Sequence, residues 1–295
     1  MSHRLATMIG LCAILLWASI VGLLRQVTEG FGPILGVCLI YSLSSIVLLI
    51  LFKPPKLHLF HKTYLIWGSI LFVSYELCLS LSLAFAQNSQ QAVEVSILNY
   101  LWPSLTVLLL ILTKEQKFHP WVIVGVLLTL LGIIQVQVGN GEFSIRQLTR
   151  NFATNPISYV LAFLGAFIWA AYCTVTKKIG NGQNAIALFF CLTAVALWLK
   201  YLWIGDFVIP EVEWHSYLYL VFSAAAFGLG YAAWNIGILH GNIQLLTAAS
   251  YFTPIISSLI AMQLLSIELT WSFWQGAALV TGGSFLCWWS TRVRA

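Results

Sequence analysis

Glu76 is the side chain with the most chemistry to offer. It falls about midway along an apolar stretch, residues 63–85, where an ionisable group costs at least ~2.5–3.5 kcal/mol to hold in hydrocarbon. It must therefore be paired, protonated or turned towards water. On a helix, Ser80 and Gln87 share its face, four and eleven residues further on. Three roles fit the carboxyl: counter-ion to a substrate ammonium, proton carrier, or structural group hydrogen-bonded to a neighbouring helix. The other acidic residue within an apolar stretch, Glu94, lies close to the start of its stretch, at a depth where headgroup-level water solvates it.

A second set of polar positions occurs twice. The segment SILNYLWPSLT, residues 96–106, matches TAASYFTPIIS, residues 247–257. An offset of 151 pairs Ser96 with Thr247, Asn99 with Ser250, Tyr100 with Tyr251, Trp102 with Thr253, Pro103 with Pro254 and Thr106 with Ser257. At about 100° per residue these positions draw one stripe of hydroxyl, amide and indole groups along an otherwise apolar helix. A proline within such a helix frees a carbonyl that hydrocarbon cannot solvate, so the stripe must face protein or water. It reads either as polar glue at a helix contact or as the wall of a solute cavity, with Pro103 and Pro254 as hinges. The duplication favours the cavity.

Aromatic residues supply the rest of a binding surface, with 13 Trp, 11 Tyr and 18 Phe. Trp121, Trp271 and Trp288 read as an interfacial belt. Trp17, Trp169, Tyr231 and Trp234 lie deeper or at repeat-matched positions, where rings would stack on a substrate side chain or hold an ammonium by cation–π contact. Plain core packing is the alternative for each of them. Ser96, Asn99, Asn235, Ser250 and Thr253 provide neutral donors for a carboxylate. No stretch has a central Arg or Lys, which disfavours phosphorylated substrates.

Catalysis finds no support. The chain has no G-x-x-x-x-G-K-[ST], no H-E-x-x-H, and no Ser-His-Asp or Cys-His set at one depth. Cys12, Cys38, Cys78, Cys173, Cys191 and Cys287 all fall in apolar stretches without metal-ligand spacing, so neither a metal nor another cofactor is called for. The expected partners are a small-molecule substrate and the lipid bilayer, and no nucleic acid.

These residues need elements that hold them in a membrane. Of 295 residues, 60% are hydrophobic and 8% charged. Ten apolar runs, about 4–24, 32–52, 63–85, 92–113, 119–138, 155–176, 184–203, 215–238, 244–265 and 270–290, are each long enough to cross ~30 Å of hydrocarbon. The first is too long for a signal peptide and lacks a clean cleavage site. Arg4, Lys53, Lys56, Lys62, Lys114, Lys117, Lys177, Lys178, Arg292 and Arg294 fall on one side, against Arg25, Arg146, Arg150 and Lys200 on the other. The positive-inside rule then places both termini in the cytoplasm, and it accounts for the net charge of +5 as topology rather than a phosphate-binding face.

The repeat extends past the stripes. Trp17, Arg25 and Gly30 match Trp169, Lys177 and Gly182 at offset 152, and Gly125 and Gly132 match Gly276 and Gly283 at offset 151. Each copy holds five stretches, so the second enters the membrane from the opposite side. The expected fold is an all-α membrane protein of ten transmembrane helices in two inverted five-helix repeats, 1–138 and 155–295, joined by a loop at 139–154, around a central cavity.

Two inverted five-helix halves, Trp17 and Trp169 in the first helix of each, and a proline-bearing fourth helix in each resemble the drug/metabolite transporter superfamily and its EamA-like repeats. The strings SYELCLSLSLAFA, NYLWPSLT, LAFLGAFIWAAYCTVT, YAAWNIGILHGN, SYFTP and SFWQGA resemble the YddG-type aromatic amino-acid exporters of bacterial inner membranes. The resemblance implies a basket-shaped bundle in the inner membrane that exports aromatic and other neutral amino acids by alternating access. Export of cationic toxicants or other small metabolites is the alternative it leaves, and a non-transporting receptor or scaffold is a third. The small multidrug branch carries its coupling acid in the first helix, and the first apolar stretch of this chain, about 4–24, has none.

Cysteines placed at Asn140 and Lys56 in a cysteine-free background should label with membrane-impermeant maleimide from outside and from inside respectively. The reverse pattern would contradict the orientation read from the basic residues.

Overall fold

Helix boundaries follow local capping chemistry. The computed structural model describes residues 2–52, 57–114, 116–138, 152–179, 184–205 and 211–292, and among these residues every regular element is helical. Helix α1 (His3–Phe31) starts where the Ser2 hydroxyl accepts the Leu5 N–H at 3.3 Å. It ends at Gly32, whose φ of +85° suits a residue without a β-carbon. Pro33 then opens α2 (Pro33–Phe52), with its ring set for a first helical turn. Next comes α3 (Lys62–Ala84), and Asn88 caps α4 (Ser89–Asn99) by accepting the Gln91 N–H at 2.8 Å. The first half continues through α5 (Trp102–Leu112) and α6 (Trp121–Val138).

The second half repeats this order. Its helices are α7 (Pro156–Ile179), α8 (Ile186–Ile204), α9 (Trp214–His240), α10 (Ile243–Ser250), α11 (Thr253–Leu264) and α12 (Trp271–Arg292). Asn242 caps α10 by accepting the Leu245 N–H at 3.1 Å, as Asn88 does for α4. Helices α1, α2, α3, the α4–α5 pair, α7, α8 and α9 are long and apolar enough to cross a bilayer, while 121–136 and α11 are shorter apolar helices. Outward-facing side chains are apolar too. Ile50, Leu112, Leu199 and Trp203 are largely exposed, as suits a surface solvated by lipid.

One expectation needs refinement at 92–113 and 244–265. Each forms two helices separated by two residues rather than one bent helix. The backbone tightens before the break: the N–H of Tyr100 donates to Ile97 O at 3.1 Å, Leu101 to Leu98 O at 3.2 Å and Phe252 to Ala249 O at 3.0 Å. Such i→i−3 bonds use carbonyls that the helix end would leave open. Pro103 and Pro254 are the second residues of α5 and α11. A missing N–H costs nothing at that position, since the first turn has no intrahelical acceptor.

The strongest packing joins the halves. Helix α1 packs on α9 and α11, its repeat mate α7 packs on α3 and α5, and α6 packs on α12. Exchanging the halves maps this pattern onto itself. The α6–α12 crossing gives the direction. A β-carbon on Gly125 would lie 2.7 Å from Gly283 O, and one on Gly283 would lie 2.5 Å from Gly125 O. Gly132 and Gly276 stand at 2.6 Å each way. Residue numbers rise along one helix as they fall along the other, so these repeat-equivalent helices are antiparallel and the halves are inverted. Small residues permit this approach, in which dispersion and close backbone contact replace the hydrophobic driving force that lipid removes.

Gly276→Val should push α12 off α6 and cost about 1–3 kcal/mol, the usual penalty of overpacking. It would be seen as a lower melting temperature in detergent and lower abundance in the membrane, and a variant that melts with the wild type would contradict the contact.

Candidate functional site

Glu76 is held from two directions. It projects from the middle of α3 and is completely buried. Its Oε1 accepts the hydroxyl of Tyr231 from α9 at 2.7 Å, and its Oε2 accepts the hydroxyl of Tyr41 from α2. Tyr41 also shares a 2.8 Å hydrogen bond with Ser80 Oγ. Tyr231 belongs to the other half of the chain, so this network stitches the repeats together at the centre. Two oxygens offer roughly four lone-pair sites, which leaves acceptor capacity beyond the two phenols.

The two broken helices come next. Residues beside both breaks border a central cavity of about 360 Å³, namely Ser96, Asn99, Tyr100, Trp102 and Pro103 on one side, and Ser250, Tyr251, Thr253 and Pro254 on the other. Each break is faced by the tryptophan of the opposite half. Trp169 of α7 lies 6.3 Å from Trp102, edge to face. On α1, Gly10 meets Leu246 of α10, and Gly22 meets Ala261 and Leu264 of α11, so Trp17 stands between them at the level of the second break. This cross-half register explains why the two tryptophans recur at the repeat offset.

Rings make the walls. Tyr75 lies 4.4 Å from Trp169, and Trp169 stacks on Tyr172 at 4.9 Å. Trp17 touches Tyr231 at 5.2 Å and Trp234 at 5.0 Å. The lining includes Glu76 and, among the described residues, no Lys or Arg. Several hydroxyls there serve the backbone: Ser96 donates to Val93 O, Thr106 to Trp102 O and Thr253 to Ser250 O. This space can bind by stacking and by one carboxylate, and its described lining offers an anion no cationic side chain.

Among the expected site residues, Trp17, Glu76, Ser96, Asn99, Tyr100, Trp102, Trp169, Tyr231, Ser250, Tyr251 and Thr253 line this cavity, with Pro103 and Pro254. Ser80 does not. It is fully buried behind Glu76 and bonded to Tyr41, because the rotation from 76 to 80 carries it under the α2 face. Gln87 is not on that face either, since α3 stops at Ala84, and its Nε2 donates to Thr154 O at 2.8 Å near the protein surface. The side chain of Asn235 lies outside the described residues. Arg25, matched to Lys177 by the repeat, donates to Ala86 O at 2.6 Å and Glu29 at 2.7 Å, and is not among the cavity-lining residues.

Trp288 corrects the belt reading. It borders the cavity and packs against Tyr251 and Phe285, whereas its neighbour Trp289 is about half exposed. Sequence reasoning also passed over Tyr41, Tyr75 and Gln116. Tyr41 carried a usable signal, because with Ser42, Ser44 and Ser45 it forms the polar spot of α2. Tyr75 stands beside Glu76 in the chain. Gln116 follows α5 in a loop, where no periodicity could assign it.

Comparison with known proteins places the arrangement in a family. The EamA-like transporter family matches residues 4–137 and again 156–289. The chain is 49% identical over 294 residues to the aromatic amino acid exporter YddG of Escherichia coli (strain K12), covering 99% of both chains. It is 50% identical over 298 residues to the aromatic amino acid exporter YddG of Salmonella typhimurium (strain 14028s / SGSC 2262), covering 100% of both. A protein of the same description from Ancylobacter novellus is 25% identical, over 96% of this chain and 97% of that one. One crystal structure, 22% identical, superposes over 100% of both chains with a TM-score of 0.69 and so shares the fold. With both halves matched and full-length relatives near 50% identity, the chain belongs to the EamA-like transporter family.

Proposed function

We propose that this protein exports aromatic and other neutral amino acids across the inner membrane, by alternating access through the central cavity. The observation that carries the reading is the lining itself. Trp17, Tyr75, Trp169 and Tyr231 offer ring faces around a single carboxylate, which suits an aromatic side chain on one flank and an ammonium on another. Relatives matched over their full length are named aromatic amino acid exporters. In this reading ten helical rods cross the membrane with both termini cytoplasmic. The halves 1–138 and 155–295 flank the substrate, and the breaks before Pro103 and Pro254 act as hinges.

Glu76 is the ammonium partner in this scheme. Its two phenolic donors carry no charge of their own, and the described lining residues bring no cation. The remaining site residues, Ser96, Asn99, Tyr100, Trp102, Ser250, Tyr251 and Thr253, shape the space around the substrate at the two breaks. A second reading, export of organic cations, is favoured by the same carboxylate in a cavity whose described lining has no Lys or Arg.

Counterflow in proteoliposomes separates the two. Vesicles loaded with unlabelled phenylalanine should concentrate labelled phenylalanine, and tyrosine and tryptophan should compete. Glu76→Gln should weaken binding by about 1–3 kcal/mol, the scale of a charge-assisted hydrogen bond. Intact exchange with a lost response to a pH gradient would instead make Glu76 a proton carrier, and unchanged binding and flux would make it structural. Exchange of an organic cation without exchange of any amino acid would select the second reading.

A further inference from the structure

A free amino acid has two charged ends, and the site accounts so far for one. Its carboxylate needs N–H or O–H donors, yet the lining contains, among the described residues, no Lys or Arg. Most lining hydroxyls are committed. Tyr231 donates to Glu76, Ser96 to Val93 O, Thr106 to Trp102 O and Thr253 to Ser250 O, while Ser284 shares a hydrogen bond with Ser104. Three residues of the described lining hold a buried polar atom with no hydrogen-bond partner: Trp17 Nε1, Asn99 Oδ1 and Gln116 Oε1. Two of these atoms are acceptors. Of these three atoms, only the nitrogen of Trp17 can donate.

An indole N–H in a buried site ordinarily finds an acceptor. Here its surroundings are rings and bare backbone. Tyr231 and Trp234 flank the indole, and Gly230 of α9 is what makes room for it, since a β-carbon there would lie 2.9 Å from Nε1. The same level of the fold holds the start of α11 at Thr253. The first N–H groups of that helix lack intrahelical acceptors, and the positive end of its dipole favours an anion. Glu76, in contact with Tyr231, fixes the ammonium end across the same aromatic ring.

We propose that the indole N–H of Trp17, beside the first turn of α11, receives the carboxylate of the transported amino acid. The inference rests on the amino-acid reading above and assigns the second pole of the zwitterion. Trp17 then selects amino acids over the corresponding amines, because an amine leaves the buried donor unpaired. Trp169, its repeat mate, serves as a stacking surface, with Tyr75 and Tyr172 on it.

The test compares L-phenylalanine with 2-phenylethylamine, which keeps ring and ammonium and lacks the carboxylate. Binding of both is measured by titration calorimetry on the purified full chain. Wild type should prefer the amino acid. Trp17→Phe should weaken phenylalanine about tenfold more than it weakens the amine, as expected for loss of a hydrogen bond to a charged group, so that the preference collapses. Where Trp17→Phe lacks a cooperative melt, 3-benzothienylalanine at position 17 decides, because it keeps the bicycle and replaces only the N–H. A preference that survives this replacement overturns the proposal, and so does an equal loss for both ligands, which would make Trp17 a packing residue. A wild type that binds the amine and not phenylalanine fails the amino-acid reading itself, a different result from either.

Discussion

Peptide groups freed inside hydrocarbon have no water to turn to, and two helix breaks at mid-depth impose that constraint on everything around them. The chain meets it first locally. Tightened i→i−3 turns at Tyr100, Leu101 and Phe252 consume carbonyls, and proline occupies a first-turn position where no donor is missed. It meets the constraint again at long range. The first helix of each half crosses the break of the other, which shields the interrupted backbone from lipid and leaves the remaining polar surface facing a common interior. The cavity is thus a by-product of protecting two breaks with two crossed helices.

Within that interior, one carboxylate does the joining. Glu76 sits on α3, Tyr41 on α2 and Tyr231 on α9, so the network spans both halves of the chain. A buried acidic group that were merely tolerated could be satisfied by one neighbour. Two phenols from different helices instead fix the carboxyl plane, and Ser80 orients Tyr41 from behind. Any motion that separates α3 from α9 must break the Tyr231 bond or carry the whole group along. Ligand recognition and rearrangement therefore meet at the same oxygen atoms.

Much of this was legible in the chain. Apolar length, the offset of about 151 and the polar stripes lead to an inverted helical membrane fold and to most of the cavity lining, because hydrocarbon leaves the backbone so few choices. The misses share a cause. Ser80 and Gln87 were placed by extending one ideal helix, but a rotation of 40° decides which face a residue shows, and α3 ends before 87. Trp288 and Trp289 are adjacent, and only packing against Tyr251 tells which one turns inward. The proline positions pointed to bends, whereas separation into two helices depends on caps and turns that no periodicity records.

The glycine crossing and the Gly10–Gly237 approach have a bearing on how the protein is made. Residues 10 and 237 touch, as do 125 and 283, so α1 leaves the ribosome long before the surface it packs against exists. Contacts between such distant positions are slow to form, because a large loop must close before any of them rewards it. Until α9 and α12 are inserted, helices α1–α6 keep their small-residue faces and the Glu76 carboxyl without their final partners. During biogenesis the N-terminal half is thus an exposed intermediate, open to wrong pairings with other membrane helices, and its survival depends on prompt completion of the C-terminal half.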